Sequence, residues 1–159
     1  MEKTIKKTNE EIITQLNNLI EINNDRIQGY ETAVDETDDV DLKSLFTEFA
    51  SHSNDYKREL VAQVTSLGGE PTESTKTTGK IFRAWMDIKA ALTGKDRKKI
   101  ISSCETGENA ALETYIDVLN SDAPFSESLR SIITKQRVAV QKDHNKIISL
   151  KHMAEAEKV

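Results

Sequence analysis

Residues 67–94 read LGGEPTESTKTTGKIFRAWMDIKAALTG, and the way they join their neighbours decides the fold. Gly68 and Gly69 stop the helical pattern that precedes them, and Pro71 prevents its resumption. Glu70 to Thr78, flanked by Gly69 and Gly79, carries Thr, Ser and Glu but no large apolar residue, so it reads as an exposed and flexible loop. Ile81, Phe82, Trp85, Ile88, Ala91 and Leu92 then recur at helical spacing until Gly94, which predicts a short helix over about 78–93 whose Trp85 face packs on the rest of the protein. This connection of roughly 30 residues can cross the length of a helical bundle.

On its N-terminal side lie two longer patterns. Apolar residues at 12, 16, 19, 20, 27, 30 and 34 mark a helix over about 8–36, with Thr8 or Asn9 as candidate N-caps. The run Asp35, Glu36, Asp38, Asp39 and Asp41 supplies turn and cap residues, and Leu42, Phe46, Phe49, Tyr56, Leu60 and Val64 continue as a helix over about 40–67. On the C-terminal side, Asp96 caps a helix over about 96–120 that buries Ile100, Ile101, Cys104, Ala111 and Tyr115. Ser121, Asp122 and Pro124 break it before the last helix, about 126–155. Each pair of long helices is joined by a short turn and so forms an antiparallel hairpin. The whole chain, 1–159, is expected to be one all-α domain: a four-helix bundle of two hairpins joined by a long crossover carrying a short fifth helix.

Composition agrees with this class. Of 159 residues 31% are charged and 36% hydrophobic, with 2 Pro and 6 Gly, a balance suited to amphipathic helices around one core. A net charge of -5 and the absence of any basic stretch interleaved with aromatics argue against a nucleic-acid partner. Lys95, Arg97, Lys98 and Lys99 form the densest basic run, read as a solvated helix face. Cys104 is the single cysteine, placed among apolar residues, so it is expected in the core of a protein from a reducing compartment. No apolar run reaches membrane-spanning length and the first residues lack a signal-peptide core, which points to a cytoplasmic location.

Polar residues interrupt the apolar stripes at mid-helix. Asn23 falls where the first helix calls for an apolar side chain, Ser53 lies between Phe49 and Tyr56, Glu108 between Cys104 and Ala111, and His144 between Val140 and Ile147. All four are expected to meet at one level near mid-height. Asn23 precedes Tyr30 by the same interval as Glu108 precedes Tyr115, so the two hairpins look like distant repeats. Ser53-x-x-Tyr56 and Gln141-x-x-His144 occupy the corresponding places in the other two helices.

These segments carry a family resemblance. Phe46 to Pro71, with its Leu67-Gly68-Gly69-Glu70-Pro71 ending, and Gly107-Glu108 followed by Tyr115 resemble rubrerythrin and other ferritin-like proteins. Glu21-Ile22-Asn23-Asn24-Asp25, Ala84-Trp85 to Leu92-Thr93-Gly94, and Cys104-Glu105 to Tyr115 are more closely similar to an uncharacterised bacterial ferritin-like family, domain of unknown function 2383. The resemblance covers about residues 12–152. It implies a ferritin-like arrangement, and that family brings no assigned reaction.

A ferritin-type di-iron centre takes a Glu from each of two helices and a Glu-x-x-His from each of the other two. Carried over by that resemblance, Glu108 and His144 are the remaining candidate metal ligands. Asn23, Tyr30, Ser53, Tyr56, Tyr115 and Gln141 surround them. The expectation is a hydrogen-bonded polar core layer with no cofactor and no catalysis, in a protein acting through binding or self-association, with a homodimer and a Trp85 interface as candidates. The alternative is a residual mononuclear site for iron or another divalent metal with redox activity. Glu48 and Glu105 are read as exposed acids, His52 and His152 as solvated, and neither Cys104 nor Ser53 has the surroundings of a nucleophile. No phosphate-binding loop is present in the sequence.

Overall fold

The computed structural model describes residues 2–75 and 79–156, without the side chains of residues 2, 3, 80 and 81. The described residues form five helices and no strand: α1 (Glu2–Glu36), α2 (Val40–Ser66), α3 (Gly79–Thr93), α4 (Arg97–Leu119) and α5 (Glu127–Ala156). The first helix begins earlier than the cap residues Thr8 and Asn9 suggest, because residues 4–11 contain no Gly or Pro and a helix once nucleated propagates through such a stretch. The expected first residue of α3, Thr78, and the Ile81 side chain lie outside the described residues.

Helix ends follow local chemistry. Asp39 caps α2 by accepting from the Leu42 amide, and Asp96 caps α4 by accepting from the Lys99 amide. Gly68 takes a left-handed φ of 81°, and the Gly69 amide turns back to the Val64 carbonyl, closing α2. At the end of α3 the left-handed residue is Lys95 (φ 54°) rather than Gly94, and the Asp96 amide returns to the Ala91 carbonyl. The basic run is less free than its sequence suggests: Lys95 pairs with Asp38 and Arg97 with the α2 cap Asp39, tying the two turns together.

Arg26 and Tyr30 of α1 meet Ser53 and Phe49 of α2, so the two helices run antiparallel. Tyr115 of α4 meets Gln136 of α5 and the Leu119 carbonyl meets Arg130, giving the second antiparallel hairpin. Apolar packing divides into two clusters. One joins Ile12 and Leu16 of α1 to Leu60 and Val64 of α2, Val118 of α4 and Leu129 of α5. The other joins Ala33, Leu42 and Phe46 to Ile100, Ile101 and Ile147. The end of α2 therefore belongs to one cluster and the start of α4 to the other, and the connection between them travels the length of the bundle.

Along that path the crossover is anchored. Asn17 donates to the Glu70 carbonyl at 3.1 Å and accepts from the Thr72 amide at 3.0 Å, and Asn24 donates to the Ser74 carbonyl at 3.0 Å. Residues 70–74 are thus strapped to α1 by hydrogen bonds, and α3 then lies against α1 and α4. Trp85 fits flat against Gly29, where a Cβ would come within 2.3 Å of the indole ring, so only glycine admits it at this depth. The crossover covers α1 so fully that Ile22, Asn23, Asn24, Asp25 and Arg26 are all buried in succession.

Inward positions in all four long helices step by alternating three and four residues. In α2 they are Leu42, Phe46, Phe49, Ser53, Tyr56 and Leu60, matched in α5 by Leu129, Ile133, Gln136, Val140, Asp143 and Ile147. In α1 they are Leu16, Leu19, Asn23, Arg26, Tyr30 and Ala33, matched in α4 by Ile101, Cys104, Glu108, Ala111, Tyr115 and Val118. The two hairpins therefore present equivalent registers, and their polar members gather between the two apolar clusters.

Candidate functional site

The centre of the bundle is built around Arg26. A guanidinium carries a permanent charge on a stem long enough to cross from one helix to its neighbours, and burying it requires both counter-charge and saturated hydrogen bonding. Nε donates to Glu108 Oε1 at 3.1 Å, and Nη2 donates to Oε1 at 2.9 Å and Oε2 at 3.0 Å. Nη2 also donates to Asp143 Oδ2 at 3.2 Å, while Nη1 donates to Ser53 Oγ at 2.9 Å. Tyr30 adds its phenolic hydrogen bond to Glu108 Oε1. One residue from each of α2, α4 and α5 thus converges on a single α1 cation, and Arg26, Ser53, Glu108 and Asp143 are each no more than 2% exposed.

His52 closes the cluster on its outer side. Its Nδ1 lies 3.1 Å from Asp143 Oδ2, and its Nε2 lies 3.7 Å from Glu48, which also accepts from Lys146 at 2.6 Å. A continuous polar chain therefore leads from the exposed Glu48–Lys146 pair through His52 and Asp143 to Arg26 and Glu108. Of these links, the exposed ion pair contributes least to stability, and the buried fork most.

A second layer lies about one helical turn away. Asn23 donates to Tyr115 Oη at 2.9 Å, Tyr115 donates to Gln136 Oε1 at 2.8 Å, and Gln136 Nε2 donates to the Tyr56 carbonyl at 3.2 Å and to Glu59 at 3.3 Å. This layer is neutral apart from Glu59. Asn23 Oδ1 is buried with no hydrogen-bond partner. The hairpin equivalence shows here in the bonding: Tyr30 reaches Glu108, and Asn23, the α1 counterpart of Glu108, reaches Tyr115, the α4 counterpart of Tyr30.

Electrostatics follow burial. Burial pulls the Arg26 guanidinium downward, but the charges of Glu108, Tyr30 and Asp143 outweigh it and raise the group above its ordinary value. Burial, reinforced by the Glu108 charge, pushes the Tyr30 hydroxyl well up. Burial followed by Asp143 takes Tyr56 up to about 12. Tyr115 is raised by burial against the opposing Asn23 bond, and Cys104 is raised by burial and then by Glu108, so that its thiol is an inert core group.

Of the four residues expected at one level, the structure brings Ser53 and Glu108 together through Arg26 and places Asn23 one layer away. His144 does not join them. It is half-buried beside Gln141, whose Nε2 lies 3.4 Å from His144 Nδ1, and the inward α5 position is taken by Asp143. The cause is register: three residues beyond Val140, rather than four, faces the core. Tyr30 and Tyr115 lie in the layers as expected, Tyr56 contributes its carbonyl, and Gln141 points to Asn145 at 3.0 Å. His52, expected in solvent, is instead bonded to Asp143, while His152 is exposed. Glu105, expected in solvent, is half-buried and pairs with Lys151 at 3.0 Å.

Sequence reading missed Arg26, Asp143 and Gln136. Their signal was the strict alternation of three- and four-residue steps, which places all three on the buried faces.

The resemblance implies metal ions between the helices, and the residues do not fit a carboxylate-bridged pair. The core-facing places where such a pair needs Glu or Glu-x-x-His hold Asn23, Ser53, Tyr56, Glu108, Val140 and Asp143, and the guanidinium of Arg26 stands between the two carboxylates. Among the described residues no three His, Cys, Asp or Glu side chains are grouped to hold an ion.

The described residues include no helix long and apolar enough to cross a membrane. No curated protein matches the chain. A family model described as a domain of unknown function (DUF2383) matches residues 11–121, which carry Arg26, His52, Ser53 and Glu108 but end before Asp143. With that match spanning most of its length, the chain belongs to the DUF2383 family.

Proposed function

We propose that this is a non-catalytic helical-bundle protein of ferritin-like arrangement, from a bacterial cytoplasm, that acts through binding or self-association. The observation that carries the reading is the Arg26 cluster: the place where a bundle of this kind would keep an open, ligand-binding centre is filled by a side-chain cation with its acceptors already engaged. A buried group committed to five hydrogen bonds is costly to displace and poor at accepting substrate. The mid-bundle layers then serve to fix helix register.

Surface features support a partner-facing role for the Trp85 segment. The groove between α1 and α3 has a volume of about 270 Å³ and is lined by Trp85, Ile88 and Leu92, with Phe82 and Met86 at 40% and 51% exposure. Both side chains are already half covered, so completing their burial in a dimer or complex contributes about half of the roughly 1.5–3 kcal/mol that a fully exposed side chain would give.

The test has two parts. Protein purified without chelator is analysed for iron, zinc and manganese and assayed for oxygen consumption with ferrous iron, and the expected result is substoichiometric metal and a background rate. Light scattering after size exclusion, over a wide concentration range, is expected to show a dimer that Phe82→Ser and Met86→Ser weaken. Stoichiometric metal lost in His144→Ala would instead support a residual redox site.

A further inference from the structure

We propose that the surface beside Trp85 is completed by a second copy of this chain, with α3 packed antiparallel on α3 about a two-fold axis at Met86. The inference rests on the self-association reading above and specifies the partner, the face and the orientation.

Position is the first argument. α3 lies on α1 and α4, outside the core of long helices, so its outward face is open to another molecule. Ala84, Ile88 and Ala91 are buried, whereas Phe82, Met86 and Ala90 are exposed at four-residue steps. Met86 is the middle residue of Gly79–Thr93. At about 100° per residue, Phe82 and Ala90 stand about 40° to either side of it. A two-fold axis there sets Phe82 level with Ala90 of the second copy, large against small, and does so twice. A parallel pair would instead set Phe82 level with Phe82.

Charge is the second argument. Arg83 and Asp87 are both exposed, and neither has an ion-pair partner among the described residues. Asp87 borders the groove toward α4, and Arg83, four residues earlier, lies on the same side of the stripe. At about 1.5 Å per residue, Arg83 precedes Met86 by about 4.5 Å and Asp87 follows it by about 1.5 Å. The axis reverses these offsets, so Arg83 of one copy and Asp87 of the other fall on the same side, about 3 Å apart in level. The pair forms twice, and such charge pairs at an interface rim fix its register. On the α1 side the two Lys89 residues are about 9 Å apart in level, near one Debye length at physiological ionic strength, so their repulsion is screened.

The experiment measures the dimer dissociation constant of the full chain by analytical ultracentrifugation, alongside Arg83→Asp, Asp87→Arg and the double exchange, with circular dichroism reading the fold. Each single reversal sets like charges together twice and is expected to weaken the dimer at least about tenfold, and the double exchange to restore it to within about threefold. Met86→Cys is expected to form a disulfide-linked dimer with oxidised glutathione, because Cys104 stays buried in the core. Met153→Cys, comparably exposed on α5, is expected to form none. A dimer indifferent to the reversals, or weakened by them without rescue in the double exchange, overturns the inference but leaves self-association through another face. A chain that stays monomeric and gives no Met86→Cys link overturns the inference and the self-association reading together. Stoichiometric metal with redox turnover, in a dimer that follows the charge pattern, would contradict the non-catalytic reading alone.

Discussion

Arg26 grips Glu108 through Nε and Nη2 at 2.9–3.1 Å, and both side chains are almost wholly removed from solvent. A fork of this kind has strict directional demands, because two donors fixed in one plane must meet one carboxylate while the remaining donors reach Ser53 and Asp143. Arg26→Lys therefore keeps the charge but loses the fork. Chemical denaturation is expected to show a loss of about 2–4 kcal/mol, nearer to truncation than to a conservative exchange. A change below 0.5 kcal/mol would show that charge alone matters.

Among the glycines, Gly29 leaves the least room for a side chain, because Trp85 packs against it. Gly29→Ala puts a methyl within 2.3 Å of the indole ring, so the ring must move off α1. Overpacking of this kind costs about 1–3 kcal/mol. Because Trp85 is the only tryptophan, its emission is expected to shift to longer wavelength in the variant, and an unshifted spectrum would count against the close packing.

Tyr115 links Asn23 to Gln136 in the neutral layer. Tyr115→Phe leaves Gln136 Oε1 buried without its donor and leaves Asn23 Nδ2 with only its bond to the Leu19 carbonyl, an effect of about 1–3 kcal/mol. Asn23→Leu in the same background is expected to cost less than it does alone, since the partner has already gone, and simple additivity would break the link.

Burial raises the hydroxyls of all three tyrosines above their ordinary value, Tyr56 to about 12. For a group whose folded value is raised, stability is fully present below the unfolded value, near 10, and is lost as pH rises through the folded one. Stability is thus expected to hold up to about pH 10 and fall beyond it. Tyrosinate absorbance should appear together with loss of helical circular dichroism, whereas ionisation near pH 10 in the folded protein would show the hydroxyls to be accessible.

How much of this was legible in the sequence is best seen in α5. Val140 and Ile147 lie two turns apart, and the intervening core position can be three or four residues on. Four selects His144 and three selects Asp143. Only the neighbouring Leu129, Ile133 and Gln136 fix the phase, and Gln136 does not look like a core residue. The same applies to Arg26, three residues beyond Asn23, whose charge disguises an inward position. Apart from the start of α1, the helix boundaries, the crossover, Glu108 and the Tyr30–Tyr115 equivalence were readable because they depend on periodicity and breakers. The ion cluster depends on which long side chain crosses between helices, and one-dimensional spacing does not carry that information.

The pairing of Arg26 with Glu108 is tested most directly by a double-mutant cycle on stability, using Arg26→Met, Glu108→Gln and the double variant. The structure predicts that each single change costs about 3–5 kcal/mol, that the double costs far less than their sum, and that the coupling is at least about 2 kcal/mol. Additive losses, with a coupling near zero, would contradict a bundle centred on this ion pair.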